Sequence, residues 1–147
     1  MKIYKFDHTI IYEDDSETIK ETVENAVRKG ISLKNANLFC TVLKDANLKG
    51  ADLRDAYLGY AYLQDANLEN ANLEDTNLRG ADLSNANLQG ANLEGANLEC
   101  ANLKYVNLEN TDLKNANLEG VKIFNNYVLI PQEKYELLKG VYNENIK

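Results

Sequence analysis

The chain has 147 residues, a hydrophobic fraction of 44% and a formal net charge of −7 at pH 7. This length suffices for one structural unit with a core but not for two ordinary domains. The sequence pI of about 4.8 argues against nonspecific binding to nucleic acid or to anionic lipid, because both need a basic footprint. The sequence has no long apolar run and no basic leader, so we expect no membrane span and no signal peptide.

The first 30 residues predict a small hairpin followed by a helix. Residues 2–6 and 9–12 are β-prone and flank Asp7-His8, a plausible turn. N-cap candidates at 13–16 precede the helical segment, which we predict over about 16–29. This helix should cap one end of the structure that follows. The apolar stripe at helical spacing consists of Ile19, Val23, Ala26 and Val27.

Residues 31–125 divide into 19 consecutive pentapeptides, most of which read Ala-Asn-Leu or Ala-Asp-Leu followed by two variable residues. The third position is Leu in every block from Leu33 to Leu118. An α-helix turns by roughly 500° in five residues, which would spread these leucines around its surface. In an extended segment the first and third residues point to the same side, and a turn must then restore the phase. We therefore predict an all-β solenoid of short sides joined by corners, with positions one and three inward.

These blocks resemble the repeats of the pentapeptide repeat family, and the resemblance covers about two-thirds of the chain. It implies a right-handed quadrilateral parallel β-helix with four pentapeptides in each coil. The 19 blocks would then form nearly five coils. We expect three parts: a hairpin and capping helix at 1–30, the β-helix at 31–125 and a C-terminal capping segment at 126–147.

The C-terminal segment carries several apolar residues outside the repeat. Pro131 suits the first turn of a helix that Gly140 would end. The simplest interpretation is a helical cap for the open end of the rod. The alternative, which the family resemblance implies, is a homodimer in which two rods meet end to end. The candidate dimer contact consists of Tyr127, Leu129, Val141 and Tyr142.

The sequence shows no catalytic, cofactor-binding or metal-ligating constellation, so we expect no enzymatic activity, no cofactor and no metal. His8 is the only histidine and lies in the predicted hairpin. Cys40 and Cys100 are 60 residues apart, which in a four-sided coil places them on one side but ~14 Å from each other. That separation is too long for a disulfide. Two free thiols suit a reducing, cytoplasmic location.

Four aromatic residues at outward positions form a candidate docking patch for another protein. In a four-sided register, Phe39, Tyr57 and Tyr60 share one side of the rod, and Tyr62 follows around the corner. Exposed aromatic residues on a rigid scaffold suit protein recognition. The alternative is that these rings lie flat on the sheet or pack beneath the N-terminal cap.

Charged residues stack at intervals of 20 residues in the same register. Most of the stacked neighbours have opposite charge, and each such pair is worth about 0.2–1 kcal/mol. The predicted pairs are Arg54–Glu74, Glu94–Lys114, Arg79–Glu99 and Lys49–Glu69. The second half of the repeat also has an excess of acids, whose candidate acidic face consists of Glu74, Glu94, Glu99 and Glu119.

Two functions are compatible with these features. The favoured one is a noncatalytic, rigid scaffold for an unidentified protein partner, because an interior filled by Leu and Ala leaves no ligand cavity. The alternative follows from the family resemblance: some members mimic a DNA duplex, bind type II topoisomerases such as gyrase and confer fluoroquinolone resistance. This chain shares the rod and the acidity. It departs from those members in its short rod, its uniform Leu ladder and its lack of an insertion loop.

Overall fold

The computed structural model describes residues 1–123, and a spacing of 20 residues governs the repeat within them. Parallel bridges join second-position residues that lie 20 apart, from Asn37–Tyr57 to Asn102–Lys122. Third-position amides bond to second-position carbonyls in the following coil, as from Leu33 to Asp52 at 2.8 Å. Four pentapeptides therefore complete one coil, and blocks spaced by 20 residues stack as one side of a parallel β-helix.

The corners between sides are formed by fifth-position residues in the left-handed backbone region. Every fifth position from Asn35 to Gly120 has a φ between 54° and 69°. Asn, Asp and Gly reach this region more easily than other residues, and they occupy most of these positions. The next amide then closes the turn, as Ala36 N–H does on the Leu33 carbonyl at 2.9 Å. Each corner thus restores the phase that an odd repeat would otherwise lose.

The first and third positions fill the interior, as the sequence predicts. The leucines from Leu33 to Leu118 are all buried, and alanines occupy most of the first positions beside them. Where Thr76 replaces Ala, its hydroxyl donates to the Leu53 carbonyl at 2.7 Å, so the buried oxygen is satisfied. Ile31 contradicts the pattern, since it is a first-position residue that remains exposed. Its amide bonds to Ala26 at the end of the preceding helix, which keeps Ile31 outside the first side.

The N-terminal segment contains two strands and one helix. Strand β1 (Lys2–Tyr4) pairs antiparallel with β2 (Ile10–Glu13), and the turn between them includes His8 at a φ of 67°. Helix α1 spans Ile19–Arg28, so it starts later than the predicted residue 16. Thr18 is its N-cap and accepts a hydrogen bond from the Glu21 amide at 3.2 Å.

The early residues that looked like N-caps have a different role. Asp14 accepts hydrogen bonds from the Thr22 hydroxyl at 3.0 Å and from the Asn25 side chain at 2.7 Å. The Ser16 amide also donates to Asp14, at 3.1 Å. Asp14 therefore ties the end of the hairpin to the side of α1 instead of capping its first turn.

The hairpin and helix contact the first coil of the repeat. Ile3, Val23 and Ala26 are buried in the same core cluster as the leucines. The Asn37 amide donates to the Tyr4 carbonyl at 2.7 Å, and the Asn47 amide donates to the Glu24 carboxylate at 2.7 Å. These first-coil amides have no preceding coil to bond, so the N-terminal segment supplies their acceptors.

Part of the predicted architecture lies outside the described residues. This part comprises the end of the last pentapeptide and the predicted capping segment at 126–147. It also includes the candidate dimer contact formed by Tyr127, Leu129, Val141 and Tyr142. Within residues 1–123, the structure contains no helix long and apolar enough to cross a membrane.

Candidate protein-docking surface

The second position of each pentapeptide has a structural task that explains its preference for Asn and Asp. Every Asn and Asp at this position from Asn37 to Asn117 accepts a hydrogen bond from the amide two residues later, at 2.9–3.4 Å. Ser32 does the same for Lys34 at 3.3 Å. Such Asx turns hold the bend before each corner and satisfy an outward-facing amide.

At three second positions between 37 and 117, the residue has no side-chain oxygen that accepts from the amide two residues later. These three positions are neighbours on the rod. They are Val42, Tyr57 and Tyr62, whose side chains are 59%, 40% and 51% exposed. Their substitution for Asn or Asp removes the local acceptor and places an apolar group in water. These exposed positions belong to a candidate docking surface.

The four residues of the candidate docking patch make different contacts in the structure. Phe39 and Tyr60 meet edge to face with ring centroids 5.8 Å apart, and both remain about half exposed. Tyr57 instead packs against Phe6 of the hairpin, at a centroid distance of 4.2 Å. Tyr62 lies on the adjacent side and is bridged to Val42 in the preceding coil.

Two members of this surface were not predicted from the sequence. Phe6 joins it because the hairpin lies against the first coil, and Val42 joins it because it is bridged to Tyr62. The absence of Asn or Asp at position 42 was the available signal for Val42. No comparable signal existed for Phe6, since it lies outside the repeat. We define the apolar patch as Phe6, Phe39, Val42, Tyr57, Tyr60 and Tyr62.

The charged ladder largely follows the predicted register. Ion pairs join Lys49 to Glu69 at 2.9 Å, Arg79 to Glu99 at 3.1 Å and Lys114 to Glu94 at 2.9 Å. The predicted neighbours Arg54 and Glu74 form no ion pair, although the pKa of Arg54 is raised by Asp52 and, less strongly, by the charge of Glu74. Arg54 instead binds Asp52 of its own block through two nitrogens, at 2.8 and 2.9 Å. The Asp52 carboxylate lies closer to the Arg54 guanidinium than the Glu74 carboxylate of the next coil does. Its two oxygens also match the two guanidinium nitrogens that donate to them.

The candidate acidic face is therefore less negative than its residues alone suggest. Two of its four members, Glu94 and Glu99, are engaged by Lys114 and Arg79. Within residues 1–123, Glu74 and Glu119 form no ion pair.

Cys40 and Cys100 are free and exposed, in agreement with the predicted register. Among residues 1–123, no three His, Cys, Asp or Glu side chains come together to hold a metal ion.

Stacked coils, left-handed corners and inward leucines together define a parallel β-helix built from five-residue repeats. The family model for pentapeptide repeats matches residues 29–55, 61–99 and 81–120, with eight copies. The chain therefore belongs to the pentapeptide repeat family. No curated protein matches it.

Solved structures similar to this chain include two cyanobacterial pentapeptide repeat proteins and a plasmid-mediated resistance protein. The pentapeptide repeat protein alr5209 of Nostoc PCC 7120 is 32% identical, with a TM-score of 0.55 over 76% of this chain and 100% of its own. Rfr23 of Cyanothece 51142 is 42% identical, with a TM-score of 0.36 over 64% of this chain and 57% of its own. QnrB1, a plasmid-mediated fluoroquinolone resistance protein, is 19% identical, with a TM-score of 0.32 over 79% of this chain and 66% of its own.

Proposed function

We propose that this protein is a noncatalytic scaffold that binds a protein partner through the apolar patch. The main support is the loss of the Asx-turn oxygen at Val42, Tyr57 and Tyr62, where exposed apolar side chains replace it. Everywhere else between 37 and 117 the second position keeps a group that satisfies the backbone. The exceptions lie on two adjacent sides of the first coils, and they adjoin the exposed pair Phe39–Tyr60.

The scaffold in this proposal is a right-handed quadrilateral β-helix of nearly five coils with a cap at each end. Its interior is filled by leucine and alanine, and its backbone amides and carbonyls are bonded from coil to coil. A rod of this kind holds outward side chains at fixed spacings. Binding then requires little ordering of the scaffold, and this lowers the entropic cost of association.

A consensus-restoring variant tests the proposal without destroying the fold. The variant combines Tyr57→Asn, Tyr60→Asn and Tyr62→Asn. Asn is the usual second-position residue, and it also tolerates the left-handed φ of 56° at Tyr60. Affinity capture from the native cell should recover a partner with the parent protein and lose it with the variant.

Tyr105→Asn is the matched control, since it removes an exposed tyrosine at a fifth position about two coils away. It should capture the same partner as the parent. Recovery of identical proteins by the parent and by the triple variant would show that the apolar patch is not the docking surface.

The DNA-mimicry alternative has weaker physical support. Lys114 and Arg79 reduce the field of the acidic face through their pairs with Glu94 and Glu99. A duplex-like field needs unneutralised charges at regular spacing, as along a phosphate backbone. A gyrase supercoiling assay at micromolar protein should accordingly show neither inhibition nor protection from a fluoroquinolone. Inhibition that depends on Glu74 and Glu119 would favour this alternative instead.

A further inference from the structure

Aspartate has a restricted distribution among the corners of the repeat. Fifth positions from 35 to 120 carry Asn, Asp, Gly, Cys or Tyr, all with a positive φ. Asp occurs at only four of them: Asp45, Asp55, Asp65 and Asp75. Asn and Gly serve the same backbone conformation at the remaining polar corners. The backbone therefore accounts for a small polar residue at these four corners but not for the negative charge.

These four aspartates border the apolar patch on both long edges. Asp55 and Asp75 occupy the corner before the side that carries Tyr57, and Asp45 and Asp65 occupy the corner after the side that carries Tyr62. Asp55 pairs with Lys34 at 3.2 Å, with both side chains partly exposed. Within the part of the chain that the structure describes, the other three aspartates form no ion pair.

A cleft at the corner before the Tyr57 side is lined by two of the aspartates and by an aromatic ring. It has a volume of about 280 Å³, and Asp55, Asp75 and Tyr57 line it. Asn35, Ala56 and Asn77 complete its walls. Carboxylates pair with a guanidinium or ammonium group, and the face of a tyrosine ring attracts the same cations.

We infer that the partner of the apolar patch is a protein segment in which apolar side chains are flanked by arginine or lysine. The inference rests on the proposed docking function and specifies its chemistry. Apolar side chains would cover Phe39, Tyr60 and Tyr62, while one cationic side chain would enter the cleft at Tyr57. The second acidic edge would face further basic residues. Lys44, beside Val42, is a cation on the same side as Tyr62 and would favour a gap in the partner's positive charge. Lys34 already pairs with Asp55, so an incoming cation would share or replace that contact.

Charge complementarity decides between this partner and others. An anionic membrane or a nucleic acid would meet aspartates along both edges of the patch, and like charges at an interface are strongly unfavourable. A second copy of this chain is also disfavoured, because its own net charge is −7.

The test uses a phage library of random peptides about 12 residues long, selected on the whole protein and on three variants. The edge variant combines Asp45→Asn, Asp55→Asn, Asp65→Asn and Asp75→Asn, which preserve shape and tolerate the positive φ. The patch variant is Tyr57→Asn, Tyr60→Asn and Tyr62→Asn. The control variant changes the net charge equally at a distance from the patch, through Glu94→Gln, Glu99→Gln, Glu109→Gln and Glu119→Gln.

The parent and the control variant should enrich peptides that combine apolar residues with at least two arginines or lysines. The edge variant should lose the basic preference, and it should bind a labelled peptide selected on the parent roughly tenfold more weakly. The difference from the parent should shrink as salt is raised. The patch variant should enrich no common peptide class.

Enrichment without a basic bias, or an equal bias in the edge variant, would overturn the inference. A patch-dependent capture in the preceding experiment would then leave the docking function standing. Light scattering that shows a dimer of the parent but not of the patch variant would also overturn it, because a second copy would then occupy the patch. Loss of both the peptide bias and the patch-dependent capture would reject the docking function itself.

Discussion

At the scale of single residues, the second position of the pentapeptide shows how local hydrogen bonding and surface function compete. Asn72 represents the usual case, with its side-chain oxygen accepting from the Glu74 amide at 3.1 Å. The same oxygen accepts from the Asn92 side chain at 3.3 Å, so neighbouring coils are also linked. Val42 and Tyr62 give up both kinds of contact. The chain thus carries local sites where stability could be regained by returning to Asn.

The substitution Val42→Asn should stabilise the protein by about 0.5–1.5 kcal/mol relative to Val42→Ala, because Asn restores an acceptor for the Lys44 amide. Both variants remove the exposed apolar side chain, so their comparison isolates the hydrogen bond. Urea unfolding followed by circular dichroism measures the difference. Equal stability of the two variants would mean that the Asx turn contributes nothing at this coil. The proposed docking function also predicts that both variants weaken binding to the partner.

At the scale of the structural element, the stacking of corners limits the size of the residue at the fifth position. A fifth-position side chain leans towards the corner of the next coil, and several of the next corners are glycine. A Cβ at Gly80 would lie 2.6 Å from the Tyr60 ring, and one at Gly95 would lie 2.2 Å from Asp75. Gly50 has nothing within 4 Å of the same position, since it lies in the first coil and no earlier coil stacks on it. Glycine therefore serves both the left-handed φ and the space needed by the preceding coil.

Gly80→Ala and Gly50→Ala form a matched pair that separates these two requirements. Both corners have a similar positive φ, 64° and 67°, so each substitution costs about 1–2 kcal/mol in backbone strain. Only Gly80→Ala must also displace the Tyr60 ring from its contact with Phe39. We expect a larger loss of stability for Gly80→Ala and a change in its near-ultraviolet circular dichroism. Equal losses of stability in the two variants, with unchanged near-ultraviolet spectra, would contradict this steric limit at the fifth position.

At the scale of the whole molecule, carboxylates link parts of the chain that the leucine core alone would not fix. Hydrogen bonds from the Arg54 guanidinium hold the pKa of Asp52 well below its usual range, and the Ser32 hydroxyl adds to this effect. For Asp14, burial favours a higher pKa, but hydrogen bonds from Asn25, Ser16 and Thr22 outweigh it and keep the pKa low. These two groups join the hairpin to the helix and the first coil to the second.

A carboxylate with a lowered folded-state pKa stabilises the fold above its unfolded pKa, and this contribution is lost as pH falls further. Asp has an ordinary pKa of 3.8, so the unfolding temperature should be steady near neutral pH and fall below about pH 4. Asp52→Asn keeps the Asx turn but removes the ion pair, so it should lower the unfolding temperature at pH 7. The difference from the parent should diminish at pH 3 and below.

Asp112→Asn provides the control for this acid dependence. Asp112 occupies the same repeat position, where it accepts a hydrogen bond from the Lys114 amide but has no arginine two residues later. In thermal unfolding from pH 8 to pH 2, the unfolding temperature should fall less steeply in acid for Asp52→Asn than for Asp112→Asn. Parallel curves for the two variants would contradict a stabilising role for the Arg54–Asp52 pair.

The period of five residues by itself determined most of the repeat. An extended segment must lose phase every five residues, so the period alone predicted corners and inward leucines. Pairs such as Lys49–Glu69 also required the four-sided register that the family resemblance implied. The same register correctly predicted that Cys40 and Cys100 would be free. These features follow from a rule that recurs in each block, and a single misplaced contact would not change them.

Only the tertiary structure decided the features that have no repeat to constrain them. The sequence could not place Phe6 against Tyr57, because the position of the hairpin depends on contacts between distant segments. Arg54 had acceptors both within its block and in the next coil, and geometry selected Asp52. The helix begins at Ile19 because Thr18 is its N-cap, whereas Asp14 bonds to the side chains of Thr22 and Asn25. Periodicity thus fixes what is equivalent in every coil, whereas tertiary contacts decide where unique residues meet.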